Sequence, residues 1–382
     1  MNAGETARLL GVARELGAEF ASSAAEYDRT GAFPHANVQR LRQAGLTGLV
    51  TPRRYGGHEA GLELALGVVN AIAKGEASTG LILAQQYLFH VQLRSGSRWP
   101  DGLRERVSVA SVEHGALVNA FRVERELGTP IRGGLPATTA RKVACGWRVS
   151  GHKIYSTGAP GLTWAIVWSR TDEEDPRVGQ ILVPMDAPGL RIEETWDHLG
   201  MRASGSHDVV LEDVFVPDDH AVDIRLPAAW AEKDDAMAGW VALMFATVYD
   251  AAARAARDWF IRFLHDRKPS NLGAALASLP HMQAAVGEID ALLLTNRVLF
   301  GLAARVDAGV PLPAHELFLA KHTINANSIA AVEKALALAG NPGLTRVNPL
   351  ERHLRDVLCG RVHSPQSDTV LGTAGRVALG LA

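Results

Sequence analysis

Cysteine is nearly absent: Cys145 and Cys359 are the two in 382 residues, far apart and in no C-x-x-C pair. A disulfide framework and a structural zinc site are therefore not expected, and no metal site is read. Neither sign of charge is in excess, since 39 Lys and Arg stand against 41 Asp and Glu for a formal charge of −2. A basic face that could neutralise phosphates is missing, which argues against nucleic acid, and so is a polybasic membrane anchor. No apolar run approaches ~18 residues, so no transmembrane helix is expected. The N-terminal stretch MNAGETARLLGVARELG carries charges throughout and no apolar signal-peptide core. A soluble, cytoplasmic protein is the expectation. The common local motifs are missing too. There is no G-x-G, no G-x-x-x-x-G-K-[ST], no G-x-S-x-G and no H-E-x-x-H. A Rossmann site, a phosphate loop, a serine hydrolase and a zincin are all disfavoured. Chemistry, where present, then falls to a cofactor whose site has no compact motif.

What is present divides into three textures. Residues 1–110 have helical periodicity, with Leu9, Val12, Leu16 and Phe20 on one face of a helix over 5–28. A second helix over 35–45 stops at a glycine, and 62–96 reads as two long buried helices. From 111 to 225 short β-branched runs alternate with turn residues, among them WRVSGHKIYST, WAIVWSR and SHDVVLEDVFVP. That is the pattern of antiparallel strands in a barrel or sandwich. From 226 to 382 three long apolar helices are predicted, over 236–267, 281–309 and 315–340, as in a four-helix bundle. The expected fold is α+β and multi-domain: N-terminal helices, a central β domain and a C-terminal bundle.

This order, read with six connecting segments, resembles the acyl-CoA dehydrogenase superfamily of flavoenzymes. The segments are LTGLVTPRRYGG, STGLILAQQYLFH, WRVSGHKIYSTGA, LGMRASGSHDVVLEDVFVP, DRKPSNLG and ALALAGNPGLTRVNPLERHLRDV. Each is weak alone; six in the right order and spacing, across nearly the whole chain, are specific. The resemblance implies FAD, with FMN as the alternative. It implies that Tyr155 covers a flavin face while Ser156 and Thr157 meet the ring edge. Thr129 is the small hydroxyl residue near the flavin, although VERELGTPIR departs from the family's T-E-P-x-x-G-S. Arg132 would face a substrate anion. Arg267, with Asn271, matches the loop that reaches a neighbouring subunit's flavin, where a guanidinium fork suits a pyrophosphate. Gly340 and Gly343 allow close backbone approach to a phosphate or adenine. A homo-oligomer, dimer or tetramer, is implied.

The family's dehydrogenation needs a carboxylate base. In the familiar Y-E-G-T segment after the R-D, this chain has His363 at the aromatic position and Ser364 at the Glu position. The other familiar place, on the long helix near 240–245, reads WVALMF and has no acid. Asp368 or His363 would be a displaced base. The superfamily's monooxygenases, which use reduced flavin and O2, carry a histidine in a segment similar to RVHSP, and His90 matches a second. A histidine suits proton transfer in that chemistry. The sequence therefore favours a flavin-dependent monooxygenase served by a separate flavin reductase or electron-transfer partner. The alternatives are an acyl-thioester dehydrogenase with a displaced base and, more remotely, a non-catalytic scaffold. Trp240, Phe245 and Tyr249 would line a pocket for an apolar or aromatic small molecule.

Overall fold

The computed structural model describes residues 2–94, 98–127, 134–230 and 235–381, with the side chains of 235 and 236 left aside. The first third forms α1 (Ala3–Ala21), α2 (Ala24–Thr30), α3 (His35–Gln43), α4 (Leu62–Gly75), α5 (Ala77–Gln92) and α6 (Asp101–Glu113). The helix expected over 5–28 is interrupted between Ala21 and Ala24, where the Ser22 and Ser23 hydroxyls bond back to the carbonyls of Glu19 and Phe20. Glu76 separates α4 from α5. Its extended backbone ends one helix, and its buried carboxylate caps the next by accepting from the Ser78 and Thr79 amides at 2.9 and 2.6 Å.

The middle third holds β1 (Val118–Phe121), β2 (Thr139–Val143), β3 (Gly146–Lys153), β4 (Trp164–Thr171), β5 (Val178–Pro184), β6 (Leu190–Glu193), β7 (Asp208–Pro217) and β8 (Ala221–Arg225). They make one eight-stranded sheet in the order β6-β7-β3-β2-β4-β5-β8, with β1 also on β4. Most pairings are antiparallel as the alternation suggests, but β1 and β2 each run parallel to β4. Alternation reports which face is buried and carries no information on the direction of the partner strand. Inside this sheet Lys153 donates to the Glu124 carboxylate and to the Trp168 carbonyl, both at 2.5 Å.

The last third is α7 (Asp235–Asp266), α8 (Pro280–Phe300), α9 (Leu302–Asp307), α10 (Ala314–Ala339), α11 (Asn341–Leu344), α12 (Leu350–Leu358) and α13 (Ser367–Ala378). The helix expected over 281–309 bends at Gly301 into α8 and α9. The 32-residue α7, about 48 Å long, packs on α4, α5, α8, α10 and α12. One apolar cluster joins Leu9, Leu16, Phe20, Val69, Leu83 and Tyr87 to Trp240, Phe245, Tyr249 and Ile324. The first and last helical stretches therefore share a core. Among the described residues no helix is long and apolar enough to cross a membrane.

Helices α1 and α4 approach each other closely at two glycines. A Cβ on Gly17 would lie 2.1 Å from the Ala71 carbonyl oxygen, and one on Gly75 would lie 1.9 Å from that of Gly17. Gly17→Ala and Gly75→Ala should each cost about 1–3 kcal/mol or more and lower the thermal midpoint. An unchanged midpoint by scanning calorimetry would mean that the two helices do not meet this closely.

Candidate active site

Phe245 and Tyr249 lie one turn apart on α7 and point the same way. Against them sits His363, on the short segment between α12 and α13. Its ring centroid is 3.9 Å from that of Phe245, and its Nδ1 is 2.7 Å from the Tyr249 hydroxyl. Gly360 permits this approach, since a Cβ there would stand 3.1 Å from the Tyr249 ring. Burial pushes the Tyr249 phenol well above its usual 10, so it stays protonated. Burial, with the Lys321 charge second, takes His363 down to about 3, so the imidazole is neutral at ordinary pH.

Helix α5 also packs on α7. His90 is fully buried, with Nδ1 3.4 Å from the Thr51 hydroxyl and Nε2 without a hydrogen-bond partner among the described residues. Burial holds it at about 3 as well. One turn on, the Arg94 guanidinium lies 5.3 Å from the centroid of the Trp240 ring and donates to the carbonyls of Val50 and Ala60. That contact ties the end of α5 to the start of α7. Phe245, Tyr249 and His363 are thus gathered on one side of α7, while Trp240 meets Arg94 and His90 meets Thr51. Ser364 is half-buried beside them, whereas Asp368 is exposed in the first turn of α13.

The β domain contributes a second group of residues. Tyr155, at φ 58° and 52% exposed, stands edge-on to Trp196 and His198, whose rings stack at 3.7 Å. The Thr157 hydroxyl is 2.9 Å from that of Ser206, which is 2.7 Å from that of Ser204. Its N–H turns inward to the Tyr155 carbonyl. The Ser156 hydroxyl is buried and unpartnered among the described residues. Aromatic faces beside hydroxyls with unused capacity suit a flat ring with a polar rim, and the donor set fits a flavin.

The remaining predicted residues lie elsewhere. Arg267 and Asn271 are exposed just beyond α7, about 26 Å along the helix from Tyr249. Gly340, at φ 64°, ends α10, and Gly343 packs under Leu336 in α11. Phe260 and Leu264 share a cluster with Ala335 and Ala339, so these two loops emerge at the same end of the bundle. They do not reach the His363 region of their own chain. Thr129 and Arg132 lie outside the described residues. Among those described, His152, Glu193 and Asp208 come within metal-binding distance of one another. Asp208, however, is already engaged by Thr195, His152 and Arg125, as in an ordinary polar network.

Two buried ionisable residues escaped the sequence reading. Lys321, 2% exposed on α10, donates to the carbonyls of His363 and Pro365, and burial lowers its pKa to about 7. Its position between Leu317 and Ile324, on the buried face of a helix, was the available signal. Asp356, noted before as part of an R-D pair, is buried and raised by that burial to about 7. It accepts from the Met201 amide at 2.7 Å. Next to it, Arg355 forks onto Asp28 at 2.8 and 2.6 Å and donates to the Leu199 carbonyl.

Comparison with known proteins supplies a family. The chain matches the acyl-CoA dehydrogenase N-terminal domain over 5–98, the middle domain over 124–214 and the C-terminal domain over 243–367. It is 34% identical over 92% of its length to putative acyl-CoA dehydrogenase YdbM of Bacillus subtilis strain 168, covering 92% of that protein. It is 32% identical over 98% of its length to L-evernosamine nitrososynthase of a Micromonospora species, covering 89% of it. The X-ray structure of a KijD3 in complex with FMN and dTDP-3-amino-2,3,6-trideoxy-4-keto-3-methyl-D-glucose superposes with a TM-score of 0.86 at 29% identity. That match covers 99% of this chain and 94% of the other.

The buried histidines set the acid response. His90, His353 and His363 are each near 3 in the fold, against ~6.5 unfolded. Below pH ~6.5 the unfolded chain takes up protons that the native state refuses, so each withdraws up to ~1.4 kcal/mol per pH unit. Asp356, raised in the fold, works in the opposite sense below about pH 7 and offsets one of them. Urea midpoints should therefore fall between pH 6.5 and 5, and His90→Gln should make that slope shallower. An equal slope in the variant would show that His90 is not held neutral by burial.

Proposed function

The chain belongs to the acyl-CoA dehydrogenase superfamily, and on that premise we propose a flavin-dependent oxidoreductase of the monooxygenase type. It uses reduced flavin and O2 to oxidise a small apolar or aromatic nucleophile such as an amine, phenol or thioether. The observation that carries this is the Tyr249–His363 pair, next to Ser364 at the position where the resemblance calls for a carboxylate base. In the tautomer whose Nδ1 accepts from the phenol, the imidazole proton is on Nε2 and is available to a third group. A neutral N–H donor stabilises a developing negative oxygen without itself giving up a proton. A histidine held near 3 is, by contrast, a base weaker than an ordinary one by on the order of 4–5 kcal/mol, poorly suited to removing a carbon-bound proton.

When bound, the flavin supplies two electrons to O2, so that one oxygen atom goes to the substrate and the other leaves as water. Tyr155, Ser156 and Thr157, with Thr129, would hold its ring. Arg267, Asn271, Gly340 and Gly343 sit at the far end of the bundle, and their place in a binding site is on a second copy of the chain. This supports a homodimer or tetramer and, through an ADP half, FAD over FMN. Trp240 and Phe245 wall the substrate space and exclude water, Arg132 is the candidate for an anionic substrate group, and Ser364 and His90 add hydrogen-bonding capacity. With no nicotinamide motif in the sequence, a separate reductase or electron-transfer partner feeds the flavin. The nitrososynthase relative, by its name, acts on an amino sugar, which fits a nitrogen nucleophile. The relative named as a putative acyl-CoA dehydrogenase favours the second reading, dehydrogenation with Asp368 as displaced base. The exposure of Asp368 weighs against it.

Rapid mixing of flavin-loaded, anaerobically reduced protein with O2 should give a transient absorbing species distinct from reduced and oxidised flavin. His363→Ala should cut its formation or use by ~100-fold or more, Tyr249→Phe by roughly tenfold, and Asp368→Asn little. Direct reoxidation with no transient, together with acyl-CoA-dependent bleaching abolished in Asp368→Asn, would establish the dehydrogenase instead.

A further inference from the structure

The segment between α12 and α13 has no strand ladder and little helix to satisfy its own carbonyls. Buried backbone oxygens must nevertheless find donors. Those of this segment are met from α10. The Lys321 Nζ donates to the carbonyl of His363 at 2.7 Å and to that of Pro365 at 2.9 Å. One turn along the same face, Asn325 Nδ2 donates to the Gly360 carbonyl at 3.1 Å. His322 Nδ1 lies 3.0 Å from the Ser367 hydroxyl and secures the start of α13.

We propose that Lys321 is a positioning residue, which clamps the backbone on both sides of Ser364 and so presents the His363 ring to Phe245 and Tyr249 in a single geometry. The proposal rests on the reading of His363 given above. Lysine is suited to this because an ammonium carries three donors on one atom at the end of a long stem. An apolar residue of similar volume would fill the same space and leave two buried carbonyls unpaired. Burying an ammonium is unfavourable by itself, so its retention on an apolar helix face has to be offset by what it holds. Lys321 touches none of the reacting groups directly; it acts through the main chain of the residue that does.

Hydrogen–deuterium exchange of the intact, flavin-free chain tests the clamp without reference to activity. In Lys321→Met, amides in peptides covering 359–367 should exchange about tenfold faster or more, with the remainder of α7 and α10 unchanged. Lys321→Arg, which keeps the donors, should recover much of the protection. In flavin-loaded enzyme, kcat should fall by roughly 10–100-fold in Lys321→Met while KM stays within about twofold. Wild-type exchange over 359–367 in Lys321→Met would overturn the proposal, as would a loss of protection spread evenly over the bundle. Should that variant not accumulate as folded protein, Asn325→Ala must loosen the same segment, and its failure to do so overturns the proposal equally. If His363→Ala retains full activity, the monooxygenase reading fails, while exchange still decides whether Lys321 holds the segment.

Discussion

The constraint on which the rest of the structure depends is the burial of residues 238–253 of α7 on nearly every side. A stretch so enclosed has to be largely apolar and small where neighbours come close, hence Ala242, Ala246, Ala251, Ala252 and Ala253, each fully buried. Any polar side chain within it must be partnered. Asp250 is met by Arg254 at 2.6 Å and Asn296 at 2.9 Å, and Tyr249 by His363. The candidate catalytic contact is therefore also a solution to the packing problem of the central helix.

The same economy ties the three parts of the chain together. Arg355 reaches Asp28 in the first helices and the Leu199 carbonyl beside the sheet, and Asp356 accepts from Met201. The turn from Met201 to Ser206, which carries the Ser204 and Ser206 hydroxyls beside Thr157, is thus anchored to the bundle. The expected flavin edge and the His363 segment both hang from the C-terminal end of one short helix, α12. A rigid link of this kind lets two sites built on different domains keep a fixed relation.

Much of this was legible in the sequence. Helix periodicity places α3, α4, α5, α7 and α10 within a few residues, and alternation finds seven of the eight strands. The strand missed, β8, is a five-residue edge segment, AVDIR, whose charged positions hide the pattern. His363 and Ser364 in the segment that follows could be read by counting from Arg355-Asp356. What could not be read was partnership. Spacing can place Lys321 on a buried face but cannot name the His363 and Pro365 carbonyls as its acceptors, nor assign the Thr157 N–H to the Tyr155 carbonyl.

Sequence by itself determined the order of elements, the family resemblance and the residue types available for chemistry, because periodicity and local motifs are encoded within a few turns of chain. Tertiary structure alone decided that the first and last helical stretches share a core, that β1 and β2 run parallel to β4, and that Tyr249, Phe245 and Lys321 converge on the His363 segment. It also decided that Arg267 and Gly340 stand a bundle length from that segment in their own protomer. Contacts between residues tens to hundreds of positions apart depend on which faces meet, and a one-dimensional pattern specifies that a face is buried without naming what buries it.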